Sequence, residues 1–256
     1  MKERKLPCNS PLIKIPFGGL RKEMLQLLAV VLMLCDHIWA TYMSFGNWLT
    51  YIGRLAFPIF AFFIAEGFCR TSDVKKYALR LLGFGIISEL PFNLFYSSRT
   101  FNPYHQNVMF TLLLGLLAII VIDRLKKDRS GKNIALSILY LFLIAAASVI
   151  GFVDYGFNGV LMVVLFYLFR DFPFAWVFQL IGMVLINIVF FEGQVISGTV
   201  FGTPFEFPTQ GFAVLSLIPI WLYGGKRFGK NKPLQYGFYA FYPAHMLVLY
   251  LIRYFA

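Results

Sequence analysis

Charged residues are scarce in this sequence. Only 14% of its 256 residues are Asp, Glu, Lys or Arg, and 59% are hydrophobic, whereas about 25% are charged in an ordinary soluble domain. The apolar residues fall into repeated runs of about 18–22, a length that spans a hydrocarbon layer of roughly 30 Å. The composition therefore argues against a soluble enzyme and predicts a polytopic membrane protein.

Cysteine is also rare. Cys8, Cys35 and Cys69 have no CxxC spacing, and two of them lie in apolar segments. This pattern argues against a disulfide framework and a structural zinc site, so we predict no metal. The first residues lack an apolar stretch followed by a small-residue cleavage site, and no signal peptide is predicted. We interpret residues 1–20 as a polar cytoplasmic tail and residues 21–256 as one membrane-embedded domain.

Acidic residues are few beside basic ones, 12 against 23, and the formal net charge is +11. The basic residues fall in the tail and in alternate connecting loops, as the positive-inside rule requires. Nothing resembles a nucleic-acid-binding module, so no nucleic-acid partner is predicted. The alternation predicts a cytoplasmic N-terminus and an external C-terminus, with the lipid bilayer as the first partner.

We predict an all-α transmembrane helix bundle of about nine spans, with ten as the alternative. The predicted spans are 24–43, 49–70, 75–96, 107–124, 133–151, 155–170, 173–191, 211–223 and 236–255. The eighth is short, and the residues before it have room for a re-entrant segment. The long connection 192–210 is either a lid or acceptor-docking loop or a solvated linker.

Two ionisable residues, Asp36 and His37, lie deep inside the first predicted span. A charged side chain at membrane depth costs roughly 2.5–3.5 kcal/mol on insertion scales, so such residues face a bundle interior or a cavity. Histidine suits proton transfer near neutral pH, and an adjacent acid can orient it. We predict His37 as the proton acceptor, with Asp36 either orienting it or serving helix packing alone.

Arg54 enters the second span, and Pro58 follows four positions later. Proline cannot donate the helical hydrogen bond to the Arg54 carbonyl, so a kink is predicted beside the guanidinium. Arg54 either borders a polar cavity there or extends to the membrane surface.

Other polar residues fall at the same predicted outer level as His37 and Arg54. They are Glu89, Asn107 and Asp154. Together they predict an externally biased cavity that binds substrate, although each alone also fits an interfacial residue. His245, near mid-depth in the last span, is a second candidate for proton transfer or a helix-packing hydrogen-bonder.

Glu66 and Arg70 are four residues apart, the spacing of a structural ion pair, and Glu66 is also a candidate substrate ligand. The predicted cytoplasmic face carries many cations that can hold a donor's phosphates, although topology alone also explains them. These candidates are Arg70, Lys75, Lys76, Arg80, Arg124, Lys126 and Lys127.

Several ordered motifs resemble the TraX family of membrane proteins, which is associated with acetylation of conjugative pilin. The motifs are Met33-Leu34-Cys35-Asp36-His37-Ile38, Ile52-Gly53-Arg54-Leu55-Ala56-Phe57-Pro58-Ile59-Phe60-Ala61-Phe62, Ala65-Glu66-Gly67-Phe68, Tyr77-Ala78-Leu79-Arg80-Leu81, Glu89-Leu90-Pro91-Phe92, Asn107-Val108-Met109-Phe110-Thr111-Leu112, Asp154-Tyr155-Gly156 and Phe241-Tyr242-Pro243-Ala244-His245. The resemblance extends from about residue 21 to the end.

The resemblance implies a bacterial inner-membrane acetyltransferase, distantly like the acyltransferase-3 class, whose first membrane helix carries a functional histidine at the position of His37. It implies acetyl-CoA as the donor and an amine or hydroxyl acceptor at the external face, on a pilin-like protein or a glycan. In this interpretation Arg54 stabilises oxyanion charge. The alternative is a non-enzymatic protein, either a proton-coupled transporter or a pilus assembly factor.

Overall fold

Helices account for most of the structure. The computed structural model describes residues 19–42, 45–191, 193–200, 202–226 and 232–255, so the predicted polar tail lies almost entirely outside it. The helices are α1 (Lys22–Thr41), α2 (Trp48–Gly53), α3 (Ala56–Arg70), α4 (Val74–Ser97), α5 (Val108–Lys127), α6 (Gly131–Ile150), α7 (Gly156–Leu168), α8 (Ala175–Val184), α9 (Leu217–Trp221) and α10 (Lys232–Phe255). A π-helical segment, Leu185–Phe190, continues α8, and a 3₁₀ helix, Thr209–Ser216, leads into α9.

Five stretches of the described residues are long and apolar enough to cross a membrane, so the chain is a membrane protein of predominantly helical fold. They are Lys22–Thr41, Trp48–Arg70, Val74–Ser97, Val108–Lys127 and Gly131–Ile150. The apolar helices Gly156–Leu168, Ala175–Phe190 and Thr209–Trp221 are shorter than the roughly 20 residues that a straight span needs. The count of nine spans and the cytoplasmic N-terminus therefore stay predictions.

The long connection after α8 contains a β-hairpin, which corrects the prediction of an all-α fold. Strand β1 (Val195–Val200) pairs antiparallel with β2 (Thr203–Pro208), and Ser197 lies opposite Glu206. The alternation of apolar and polar residues that predicts a strand is not apparent here, because Gly, Thr and Pro interrupt it. The described residues of this connection thus form a hairpin, and its role as a lid, an acceptor-docking loop or a solvated linker stays a prediction.

The described residues form two compact units. The N-terminal unit comprises residues 19–60 and 169–234, and the second unit comprises residues 61–168 and 235–255. In the N-terminal unit α1 packs against α2, and in the second unit α5 packs against α4, α6 and α7. The prediction of a single domain over residues 21–256 stays a prediction.

A break separates α2 from α3 where a kink was predicted. The helix stops at Gly53, Arg54 and Leu55 form a turn, and α3 starts at Ala56. Pro58 therefore falls in the first turn of α3, where its missing N–H costs nothing because the first helical N–H groups have no intrahelical acceptor. The break leaves the Arg54 side chain at the end of the short helix α2.

Side-chain caps fix the starts of the helices in the second unit. The Asp73 carboxylate accepts a hydrogen bond of 3.0 Å from the Lys76 backbone N–H at the start of α4, which lowers the pKa of Asp73 below its ordinary value. Asn107 caps α5 through a 3.0 Å bond from the Met109 N–H. Because a capped residue is held at one backbone position, Asn107 is fixed where α5 meets α4.

Candidate functional site

A carboxylate, a hydroxyl and a guanidinium meet in the N-terminal unit. The Thr50 hydroxyl donates to Oδ1 of Asp36 at 2.7 Å and accepts from Nη2 of Arg54 at 3.0 Å. The same Arg54 nitrogen lies 3.6 Å from Asp36 Oδ1. Arg54 therefore packs onto Asp36 and Thr50, and its predicted place at a polar cavity or at the membrane surface stays a prediction.

Thr50 was not identified in the sequence. It is 1% exposed and lies one helical turn before Arg54, so the two side chains share a face of α2. The available signal was the spacing of four between a hydroxyl residue and an arginine in an apolar segment. We name Asp36, Thr50 and Arg54 the Asp36 cluster.

Close approach of two helices makes this cluster possible. A Cβ added to Gly53 would lie 2.5 Å from the Asp36 Cβ and 2.9 Å from its Oδ1. Real Cβ atoms do not come so close to other atoms, so only glycine lets α2 lie against α1 at this level. Gly53 therefore sets the distance between Asp36 and the residues of α2.

We expect Gly53→Ala to destabilise the N-terminal unit by about 1–3 kcal/mol, because the new methyl group overpacks the contact with Asp36. The matched control is Gly83→Ala, since nothing lies within 4 Å of a Cβ at Gly83. The measurement is the thermal unfolding midpoint of each variant in one detergent. Equal midpoints for the two variants would contradict the close approach.

His37 follows the cluster residue Asp36 on α1. Its side chain is 7% exposed, and its backbone carbonyl accepts a 2.8 Å hydrogen bond from the Thr41 hydroxyl. Consecutive helical residues point about 100° apart, so His37 and Asp36 occupy different faces of α1. A buried imidazole therefore lies one position from a carboxylate already bound by Thr50 and Arg54.

The second unit holds a different polar cluster, formed by Glu89 and Asn107. The Asn107 side-chain amide donates to the Gly85 carbonyl at 2.8 Å and also to Glu89 Oε2. Asn93 donates to Glu89 Oε1 at 3.2 Å. Each oxygen of the Glu89 carboxylate thus accepts an amide hydrogen bond.

His105 and Asp154 form a pair in the second unit. The His105 Nε2 lies 3.7 Å from Asp154 Oδ1, and the ring contacts Phe92 and Tyr96 with centroids 4.8 Å and 5.2 Å away. The hydroxyl of Thr111 also binds the Asp154 backbone carbonyl. The sequence did not predict that His105 and Asp154 form a pair, because a histidine in a loop has no helical periodicity that would indicate its neighbours.

His245 makes its contacts on its own helix. Its Nδ1 lies 2.7 Å from the Phe241 carbonyl, and its ring stacks on that of Phe241 with centroids 4.8 Å apart. These contacts lie within α10, so both predicted roles of His245, proton transfer and packing between helices, stay predictions. The predicted polar residues therefore divide between the units: Asp36, His37 and Arg54 lie in one, and Glu89, Asn107, Asp154 and His245 lie in the other.

Several of the basic candidates have partners on the protein. Arg70 pairs with Glu66, as their spacing indicated, and Lys127 lies 2.6 Å from Asp123 Oδ2. The Tyr167 hydroxyl donates to the other Asp123 oxygen at 3.1 Å. These contacts leave Arg70 and Lys127 less available to a phosphate than the sequence indicated.

The other basic candidates differ in exposure. Lys126 lies 4.6 Å from the Tyr167 ring centroid, and Arg80 lies 5.3 Å and 5.6 Å from the rings of Tyr77 and Tyr239. The exposed members of the set are Lys75, Lys76, Arg124, Lys126 and Lys127. Within the described ranges, no three His, Cys, Asp or Glu side chains lie close enough to hold one metal ion.

Comparison with known proteins agrees with the motifs. The chain is 27% identical over 252 residues to the "Probable fimbrial assembly protein FimC, serogroup H1" of Dichelobacter nodosus, covering 88% of this chain and 92% of that protein. It is 28% identical over 148 residues to "Protein TraX" of Escherichia coli, covering 57% and 55% of the two chains. No solved structure shows significant similarity. The profile of the family described as TraX protein matches residues 21–253, and the chain belongs to the TraX family.

Proposed function

We propose that this protein is an integral-membrane acetyltransferase of the bacterial inner membrane. It moves an acetyl group from cytoplasmic acetyl-CoA to an amine or hydroxyl at the external face, such as a pilin-like N-terminus or a glycan. The observation that carries the proposal is the Asp36 cluster, which α1 and α2 form one residue away from His37 on α1. A buried histidine and a guanidinium held by a carboxylate are the two kinds of group that acyl transfer needs.

In the proposed reaction, His37 accepts the proton of the acceptor N–H or O–H. The acceptor atom forms a bond to the thioester carbonyl carbon, and a tetrahedral oxyanion develops. Arg54 stabilises that oxyanion, while Asp36 and Thr50 hold the guanidinium in place. The carbon–sulfur bond then breaks, and the CoA thiolate leaves and takes up the proton from His37. A variant of this scheme has His37 carry the acetyl group transiently.

The donor's phosphates have candidate ligands in the second unit. Lys75 and Lys76 are exposed beside the start of α4, and Arg124 is exposed near the end of α5. We assign the phosphates to these three first, with Arg80 and Lys126 next, because Arg70 and Lys127 already bind carboxylates. Several cations together attract a multiply charged donor through their summed field.

The acceptor's candidate ligands are the polar residues of the second unit. Glu89 and Asp154 supply carboxylates that suit a protonated amine, and Asn107 holds Glu89 in position. Their roles as acceptor ligands, together with those of Glu66 and His245, belong to the proposal.

The test is acetyl transfer by the purified full chain in proteoliposomes. We expect consumption of acetyl-CoA that depends on an acceptor peptide with a free N-terminal amine, with the acetyl group recovered on that peptide. The matched control is the same peptide already blocked at its N-terminus and lacking side-chain amines and hydroxyls. A protein that neither hydrolyses acetyl-CoA nor modifies any amine, hydroxyl-bearing peptide or glycan would contradict the proposal.

A second candidate is a pilus or fimbrial assembly factor without catalysis. The name of the Dichelobacter nodosus relative, a probable fimbrial assembly protein, favours it. The two candidates differ in what a His37→Ala chain does in cells that lack the gene. A non-catalytic factor restores pilus assembly with that variant, whereas an acetyltransferase required for assembly does not. A proton-coupled transporter would likewise consume no acetyl-CoA.

A further inference from the structure

An elongated apolar groove lies between α5 and α6 in the second unit. Its volume is about 370 Å³, within the range of about 300–1,000 Å³ typical of small-molecule sites. Its walls are mainly aliphatic side chains such as Leu117, Val121 and Ile144, and three uncharged polar residues, Asn133, Ser137 and Tyr140, follow one side of α6. Neither the Asp36 cluster nor Glu89 and Asn107 contribute to it.

The groove has one charged end. Arg124 lines it there together with Asn133, and Leu114 and Ala147 line it at the other end. The connection between α5 and α6 is short, and its residues Arg129 and Lys132 add positive charge beside Arg124. The groove is therefore cationic where the two helices meet their connecting loop and apolar where it extends away from that loop.

The length of the groove matches one leaflet of a bilayer. At the rise of an α-helix, Leu114 to Arg124 spans about 15 Å along α5, and Asn133 to Ala147 about 21 Å along α6. Half of a hydrocarbon core of roughly 30 Å is about 15 Å. An acyl chain that starts at the loop end would fill the groove down to about the bilayer midplane.

The arginine at the mouth is suited to a phosphate. Arg124 is exposed, whereas the neighbouring Lys127 is bound to Asp123 at 2.6 Å and Lys126 lies over the Tyr167 ring. A guanidinium binds two phosphate oxygens at once. Since the positive-inside pattern predicts that this loop is cytoplasmic, the phosphate would be at the surface of the inner leaflet, where anionic headgroups are abundant.

From these features we infer that the groove between α5 and α6 binds one anionic phospholipid of the inner leaflet. Its phosphate sits at Arg124, and one acyl chain lies along the groove toward Leu114 and Ala147. Arg124 is also among the proposed ligands of the donor's phosphates, but the lipid site does not rest on the proposed function. Lipid retention is measured without acetyl-CoA, so either proposal can fail without the other.

Native mass spectrometry of the full chain tests the inference. The protein is purified from bilayers of phosphatidylcholine and phosphatidylglycerol, and the retained lipids are counted. We expect one phosphatidylglycerol to be retained by the unaltered chain and Arg124→Gln to lower its retention about tenfold, the loss of a charge-assisted hydrogen bond. The control Arg99→Gln makes the same substitution at an exposed arginine between α4 and α5 that does not line the groove, and it should leave retention unchanged.

A second pair of variants tests the apolar part of the site. Leu117→Trp fills the groove and should remove the retained lipid, whereas Ile138→Trp places the same side chain on an exposed surface of α6 that does not line the groove and should not. Equal retention by these two variants would overturn the inference. So would tight binding of palmitoyl-CoA, blocked by Leu117→Trp, in a chain that retains no phospholipid, because the groove would then hold a donor's acyl chain.

Discussion

We expect His37→Gln to lower the proposed acetyl transfer by about 10²–10⁴-fold, the usual contribution of a positioned general base. The side chain is 7% exposed and follows a carboxylate that Thr50 and Arg54 already bind. Glutamine retains most of the volume and hydrogen-bonding capacity of histidine but cannot accept a proton at neutral pH. The measurement is the rate of acceptor modification, with the thermal midpoint recorded for the same sample.

Met33 provides a control for packing at the same face of α1. It lies one helical turn before His37, and its side chain is 8% exposed. We expect Met33→Ala to lower the thermal midpoint through the cavity it creates while the folded protein keeps its turnover. Partial rescue of His37→Ala by added imidazole would identify the lost group as a base. Near-normal turnover by His37→Gln would remove His37 from the mechanism and direct attention to the His105–Asp154 pair.

The sequence predicted contacts within one helix better than contacts between side chains of different helices. Hydropathy predicted that Asp36 and His37 lie within one helix, and the spacing of four predicted an ion pair between Glu66 and Arg70. Both local arrangements are present in the structure. Partner choice across helices depends on which faces meet, and that depends on packing distances such as the approach at Gly53. Thr50 was missed for this reason: its spacing of four from Arg54 is a weak signal until a second helix supplies a carboxylate for its hydroxyl.

Features of the fold that depend on nearby residues were likewise predicted better than features that depend on contacts between separate segments. Pro58 predicted a kink in the helix near Arg54. In the structure the helix is interrupted completely between Gly53 and Ala56. The β-hairpin at 195–208 escaped prediction because pairing between two short strands is not encoded by the hydrophobic period of either strand alone. The number of spans depends on how the shorter helices, such as Gly156–Leu168, lie in a bilayer, which their length does not determine.

We expect Arg54→Lys to lower the proposed acetyl transfer by about 10²–10³-fold, the range seen when one donor to a developing oxyanion is lost. Lysine keeps the charge but cannot present two parallel N–H groups. The Thr50 hydroxyl would lose the Nη2 donor that now lies 3.0 Å away. Arg99→Lys is the matched control, because Arg99 is an exposed loop residue outside the cluster.

A double-mutant cycle shows what Asp36 does. Asp36 Oδ1 binds Thr50 and lies 3.6 Å from Arg54, so we expect Asp36 to act on the reaction by holding the guanidinium. Asp36→Asn should then cost less than Arg54→Lys, and the double variant should transfer acetyl no more slowly than Arg54→Lys alone. If the two losses multiply instead, Asp36 acts separately from Arg54, as it would by orienting His37. Since residues in direct contact couple by about 0.5–3 kcal/mol, the two outcomes differ by enough to be separated in a rate assay.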